Sequence, residues 1–139
     1  ENREEYIRLI IEEMIPYVAE HKLAKYCDIF CETGVFTAEE SKKILLAARQ
    51  YGLEPKIHAD EIYPIGGSQL AGEISAVSAE HLIVCPPEGI ESMAKGGTIA
   101  CLLAERGYEV VATDASEEML TEGVKIRKGK KVFHKAVLA

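Results

Sequence analysis

Tyr26-Cys27-Asp28-Ile29-Phe30-Cys31-Glu32-Thr33-Gly34-Val35-Phe36-Thr37-Ala38-Glu39-Glu40 changes character along its length. Residues 26–31 are a short apolar run bounded by polar residues, the pattern of a buried strand. Thr33-Gly34 reads as a loop. Thr37-Ala38-Glu39-Glu40 is a capping box, in which the Thr37 hydroxyl accepts a first-turn N–H while Glu40 reaches back. The helix it opens is expected to run to about Tyr51, where Gly52 supplies the permissive residue past its end. Residues 55–59 then read as a second strand. Parallel strands need such crossover helices, so the stretch predicts an α/β fold.

The alternation continues in both directions. Residues 3–20 carry Tyr6, Leu9, Ile10, Ile11, Met14, Tyr17 and Val18 at three- and four-residue steps, an amphipathic helix. Pro16 lacks an N–H and is expected to bend or loosen its last turn. A short helix is predicted over 68–74, and a third strand over 78–85, centred on Leu82-Ile83-Val84. Pro86-Pro87 stops that strand and a helix follows over 88–95. Residues 98–105 are ambiguous between strand and helix. A further strand is predicted over 108–113, then a helix to about Gly123 with Asp114 as its cap. Residues 124–138 read as a hairpin, or as a loop and a final strand. The expected architecture is one mainly parallel sheet of about five strands with flanking helices. The helix over 3–20 is expected to pack across the face of the sheet left uncovered.

The chain has 139 residues, 47% hydrophobic and 28% charged, the composition of an ordinary globular domain. Acidic and basic residues number 23 and 16, a net charge of -7, with a pI near 5.2. Such a surface repels phosphate backbones, so no nucleic-acid partner is expected. The one basic cluster, Lys125, Arg127, Lys128, Lys130 and Lys131, reads as a solvated turn. No apolar run approaches the roughly 20 residues that span a bilayer, so no membrane partner is expected. The first residues, Glu1-Asn2-Arg3-Glu4-Glu5, do not form a secretory signal, and a cytoplasmic location is expected. Cys27, Cys31, Cys85 and Cys101 lack the paired spacing of a zinc knuckle and read as free thiols.

The most chemical segment is Lys56-Ile57-His58-Ala59-Asp60-Glu61, at the carboxyl end of a predicted strand. Ligands bind at that edge in parallel α/β folds. His58 is a candidate metal ligand and Glu61 a candidate proton donor or acceptor. His81, after Ser78-Ala79-Glu80, offers a second imidazole nearby.

Three blocks carry a resemblance: residues 26–36, Lys56-Ile57-His58-Ala59-Asp60-Glu61, and Ala76-Val77-Ser78-Ala79-Glu80-His81-Leu82. With Gly89-Ile90 and Gly97-Thr98-Ile99-Ala100, they resemble imidazolonepropionase over about residues 1–103. The resemblance implies a (β/α)₈ barrel with zinc or iron, hydrolysing the imidazolone ring of 4-imidazolone-5-propanoate in histidine degradation. It places His58 as a metal ligand, Glu61 as the substrate-side or water-activating glutamate, and His81 as the active-site histidine of the following strand. The family's early His-x-His pair has no counterpart in this sequence. A complete barrel needs roughly 200 residues or more.

Residues 98–120, with Tyr108-Glu109-Val110-Val111-Ala112-Thr113-Asp114, resemble a class I S-adenosylmethionine-dependent methyltransferase. That resemblance implies cofactor binding at Gly96, Gly97 and Asp114, the acid accepting ribose hydroxyls. The Gly-rich turn is incomplete, and Asp114 also fits a plain helix cap. Ala112-Thr113-Asp114 has a further counterpart in the last barrel strand of imidazolonepropionase, where the aspartate binds metal.

The leading reading is a single α/β domain, 1–139, made as an engineered chimera. Residues 1–97 are its half-barrel part and 98–139 its Rossmann-like or flavodoxin-like part. It is expected to hold no cofactor and to have no native catalytic function, because neither site is complete. One alternative is a truncated imidazolonepropionase-like hydrolase that completes its barrel by self-association. Another is a weak S-adenosylmethionine- or metal-binding module. A monomer or a homodimer covering exposed sheet surface is expected.

Overall fold

The computed structural model describes residues 2–101. The chain begins with α1 (Arg3–Leu9), a π-helical turn (Ile10–Met14) and α2 (Ile15–Glu20), one continuous rod. Four strands follow in alternation with helices: β1 (Tyr26–Cys31), α3 (Ala38–Gln50), β2 (Glu54–Ala59), α4 (Gly67–Glu73), β3 (Ser78–His81), α5 (Pro87–Gly96) and β4 (Ile99–Ala100). The strands are all parallel, in the order β1-β2-β3-β4.

That order distinguishes two ways of winding a parallel sheet. A doubly wound sheet reverses its strand order partway and carries helices on both faces. Among the described residues each strand instead lies beside its predecessor, the arrangement of a barrel segment. The alternation of burial agrees. Ile29 and Cys31 of β1, Pro55, Ile57 and Ala59 of β2, and Ala79 of β3 are buried. They share one core with Ile44, Leu45 and Ala48 of α3, Leu70 and Ala71 of α4 and Met93 of α5. The intervening positions, Asp28, Lys56, His58 and Glu80, stay partly or well exposed on the opposite face.

The capping box forms as the sequence requires: Glu40 N donates to Thr37 Oγ1 at 3.2 Å and Thr37 N donates to Glu40 Oε2 at 2.9 Å. Glu40 also receives the Arg3 guanidinium, which ties α1 to the start of α3. Tyr6 stacks on Phe36 beside this pair. The amino-terminal rod therefore lies against α3 and the loop before it, not across the open face of the sheet. Pro16 does loosen the rod, but one turn earlier than expected. Without its N–H, the bond to the carbonyl four residues back is missing, and the chain widens into the π-helical turn just before it.

α4 and α5 approach closely because glycines line the contact. A Cβ added at Gly72 would stand 2.1 Å from the Ser92 carbonyl carbon, and one at Gly96 2.1 Å from the Gly72 carbonyl oxygen. Carbonyls of this helix pair find side-chain donors: Ser92 Oγ on Gln69 O at 2.8 Å and Thr98 Oγ1 on Ala71 O at 3.0 Å.

β3 stops at His81 instead of running to 85, because His81 and Leu82 both adopt left-handed backbone, with φ 71° and 55°. At the ambiguous segment, Ile99–Ala100 is strand. The strand expected over 108–113, the helix after Asp114, the basic cluster and the carboxyl-terminal hairpin lie outside the described residues. So does nearly all of the Rossmann-like part. Among the described residues, no helix is long and apolar enough to cross a membrane.

Candidate functional site

The parallel register assembles the site. Phe30 pairs with His58 and His58 with Glu80, while Asp28 pairs with Lys56 and Lys56 with Ser78. Paired residues of neighbouring strands project from the same face. The face opposite the described helices thus carries Asp28, Lys56, His58, Ser78 and Glu80 side by side.

His58 is the centre of a chain of four groups. Its Nε2 lies 2.8 Å from Asp28 Oδ2. Its Nδ1 lies 2.9 Å from His81 Nε2. His81 Nδ1 in turn lies 3.7 Å from Glu61 Oε1. A carboxylate only accepts, so His58 presents Nε2–H to Asp28 and its Nδ1 lone pair to the Nε2–H of His81. One bond thereby sets the tautomer of two imidazoles. The last gap exceeds a hydrogen bond and leaves Glu61 and His81 facing each other across a small separation.

A second cluster flanks the first. Glu80 Oε1 accepts from Ser78 Oγ at 2.6 Å and lies 3.0 Å from Lys56 Nζ. The Glu80 carboxylate holds the Lys56 ammonium above its ordinary value, against partial desolvation. Asp28, His58 and Glu80 offer one ligand atom each, all within 4.8 Å of one another, the one such group among the described residues.

Below the rim lie two buried acids. Burial pushes the Asp60 carboxyl up, while the Ser68 hydroxyl and amide and the Cys85 thiol favour its charge. Glu32 behaves oppositely. Burial works to raise it, but the N–H groups of Ile62, Thr33 and Tyr63 prevail and hold it below the usual carboxylate range.

The structure thus brings His58 and Glu61, neighbours in sequence, together with His81, which lies 23 residues beyond His58. Gly96 and Gly97 sit elsewhere. Gly96 is the close-packed last residue of α5 and Gly97 its left-handed cap, with φ 72°. They end a helix, whereas an anion-binding turn opens one, where free N–H groups point at the phosphate. Asp114 lies outside the described residues.

Asp28, Glu80 and Glu32 were not singled out from sequence. The available signal was an acid in an otherwise apolar strand, as in Tyr-Cys-Asp-Ile-Phe-Cys, which marks the face turned away from the core.

Comparison with known proteins bears on this arrangement. The chain is 56% identical over 105 residues to imidazolonepropionase of Clostridium tetani, covering 76% of this chain and 25% of that protein. It is 48% identical over 127 residues to imidazolonepropionase of Brevibacillus brevis, covering 91% of this chain and 30% of that protein. This chain resembles a segment of imidazolonepropionase. It spans about a quarter to a third of the length of the curated imidazolonepropionases it matches. No family model matches the chain. A 127-residue match within 139 residues takes in 13–127 wherever it starts. One imidazolonepropionase therefore aligns across the junction near 97, and these relatives give no support to a methyltransferase fragment or a splice.

Proposed function

We infer that this chain is part of an imidazolonepropionase-type hydrolase, whose substrate is an imidazolone carrying a propionate and whose reaction is hydrolytic ring opening at a C–N bond. The observation that carries the reading is the convergence of His58, His81 and Glu61 at the carboxyl edge of the sheet, with 2.9 Å between the two imidazoles and 3.7 Å to the carboxylate. Relatives at 46–56% identity carry that enzyme name.

The resemblance implies zinc or iron. The donor set suits either, being one imidazole and two carboxylates within one small volume. Asp28, His58 and Glu80 would hold the ion, whose chemistry there is to polarise the ring carbonyl and acidify a water. Glu61 takes the proton of the attacking water on the exposed side of His81. With Nε2 of His58 turned to the ion, its Nδ1 would carry the proton and donate to His81 Nε2, which keeps that imidazole oriented. Lys56 neutralises Glu80 and, with Ser78, fixes the direction of its free oxygen.

Among the described residues, β1 and β4 are edge strands and one face of the sheet carries no helix, which favours self-association that would place a second surface over the site. Sedimentation of the 139-residue chain as a homodimer is the expected outcome; a monomer at all concentrations would remove that part of the reading.

The decisive assay follows the loss of imidazolone propionate by the chain loaded with zinc or ferrous iron. Turnover that falls by at least about a hundredfold in Glu61→Gln is expected for a proton-transfer group. Absence of turnover, together with absence of stoichiometric metal, would overturn the reading.

A further inference from the structure

Glu32 stands immediately after β1 and is 2% exposed. Its Oε1 accepts from Thr33 N at 2.7 Å. Its Oε2 accepts from Ile62 N at 2.9 Å and Tyr63 N at 3.2 Å. The last two donors directly follow Glu61. A buried carboxylate is costly unless its oxygens are satisfied, and here three backbone amides satisfy them, two from a different loop. The loop they belong to also carries Asp60 in left-handed backbone, with φ 51°. Its tip leaves Ile62 and Tyr63 more than half exposed, so side-chain packing does little to hold it.

We propose that Glu32 is a positioning residue, which clamps the backbone of residues 62–63 and so aims the Glu61 carboxylate at His81. The clamp rests on the proposed function in one respect only, that Glu61 is the group handling the proton. The geometry supplies the rest. β1 and β2 are hydrogen-bonded neighbours along Tyr26–Cys31 and Glu54–Ala59, but that pairing ends at Cys31 and Ala59. Beyond it, the Glu32 carboxylate replaces the ladder and joins the two loops where the sheet stops. The contact is charge-assisted and comes from a rigid strand end. It therefore fixes the start of the loop more firmly than a neutral bond would.

The test has two arms, both on the 139-residue chain. In the first, amide exchange is measured residue by residue by NMR. Glu32→Ala should accelerate exchange at Ile62 and Tyr63 by about tenfold or more, the loss of a buried charged acceptor. Amides of α3 should stay within about twofold. Glu32→Gln, which keeps one acceptor oxygen, should fall between. Unchanged exchange at Ile62 and Tyr63, or equal acceleration of loop and α3, overturns the clamp.

In the second arm, imidazolone propionate turnover is measured on metal-loaded protein. Glu32→Ala should lower kcat about tenfold with KM within twofold, and should add nothing in a Glu61→Gln background. Equal losses in both backgrounds, or an unchanged kcat, overturn the positioning role. If the wild-type chain shows no turnover, the proposed function fails while the exchange arm still decides the clamp.

Discussion

Glu40 serves two segments at once. It closes the capping box of α3 and receives Arg3 from the amino-terminal rod. The Arg3 guanidinium and the Thr37 amide hold its carboxyl at about 2, against an ordinary 4.5. A depressed folded value means stability present above the ordinary value and lost as pH falls through the depressed one. The difference in melting temperature between wild type and Glu40→Gln should therefore be constant above about pH 5 and vanish near pH 2. A difference that persists at pH 2 would show that the carboxylate charge is not its source. The capping box was legible from four letters because its geometry is local. His81 was named from the sequence as well, but its direction was not legible. It pairs with Ala59, which is buried beneath the helices, and simple alternation would send the imidazole there. Left-handed backbone at His81 and Leu82 turns it to the open face and buries Leu82 instead. Such conformations cost about 1–3 kcal/mol and are held by the surrounding structure, which no single-residue preference encodes.

At the scale of elements, the α4–α5 contact sets the tightest constraint. Gly72→Ala would place a methyl 2.1–2.5 Å from the backbone of Ser92 and Met93. Backbone cannot move aside as a side chain does, so this substitution should cost about 1–3 kcal/mol or more in urea unfolding. Gly52→Ala is a useful contrast, because nothing lies within 4 Å there and only its φ of 83° opposes the change. It should cost about 1 kcal/mol. The sequence revealed these glycines as breaks between elements. It did not reveal that Gly72 and Gly96 face each other, since a close approach depends on which helices become neighbours. The π-helical turn shows the same limit. Pro16 announces a missing hydrogen bond, but which turn absorbs it depends on Ile7 and Ile15 being buried on either side.

At the scale of the molecule, the core of the described residues lies between one sheet and one layer of helices. Ile57 is fully buried at the middle of β2, between β1 and β3. Ile57→Ala should cost about 2–4 kcal/mol, measured by chemical denaturation, with an unchanged denaturant slope. The α/β class was legible because helix and strand periods alternate in plain view. Sequential strand order was not, since βαβ units look alike whether they wind one way or two. The order that formed has a meaning in time. Each strand after β1 finds a partner already made, because the neighbour before it in the sheet was synthesised first. Synthesis at about 5–20 residues per second separates the emergence of Ala59 from that of His81 by roughly 1–4 s. Pairing within a local unit is far faster than that. The edge beside β2 therefore stands open while the next unit emerges, and the relay through His58 is completed only when His81 arrives. A sheet laid down in this sequence can be extended by whole βα units at its β4 edge without disturbing what has already folded.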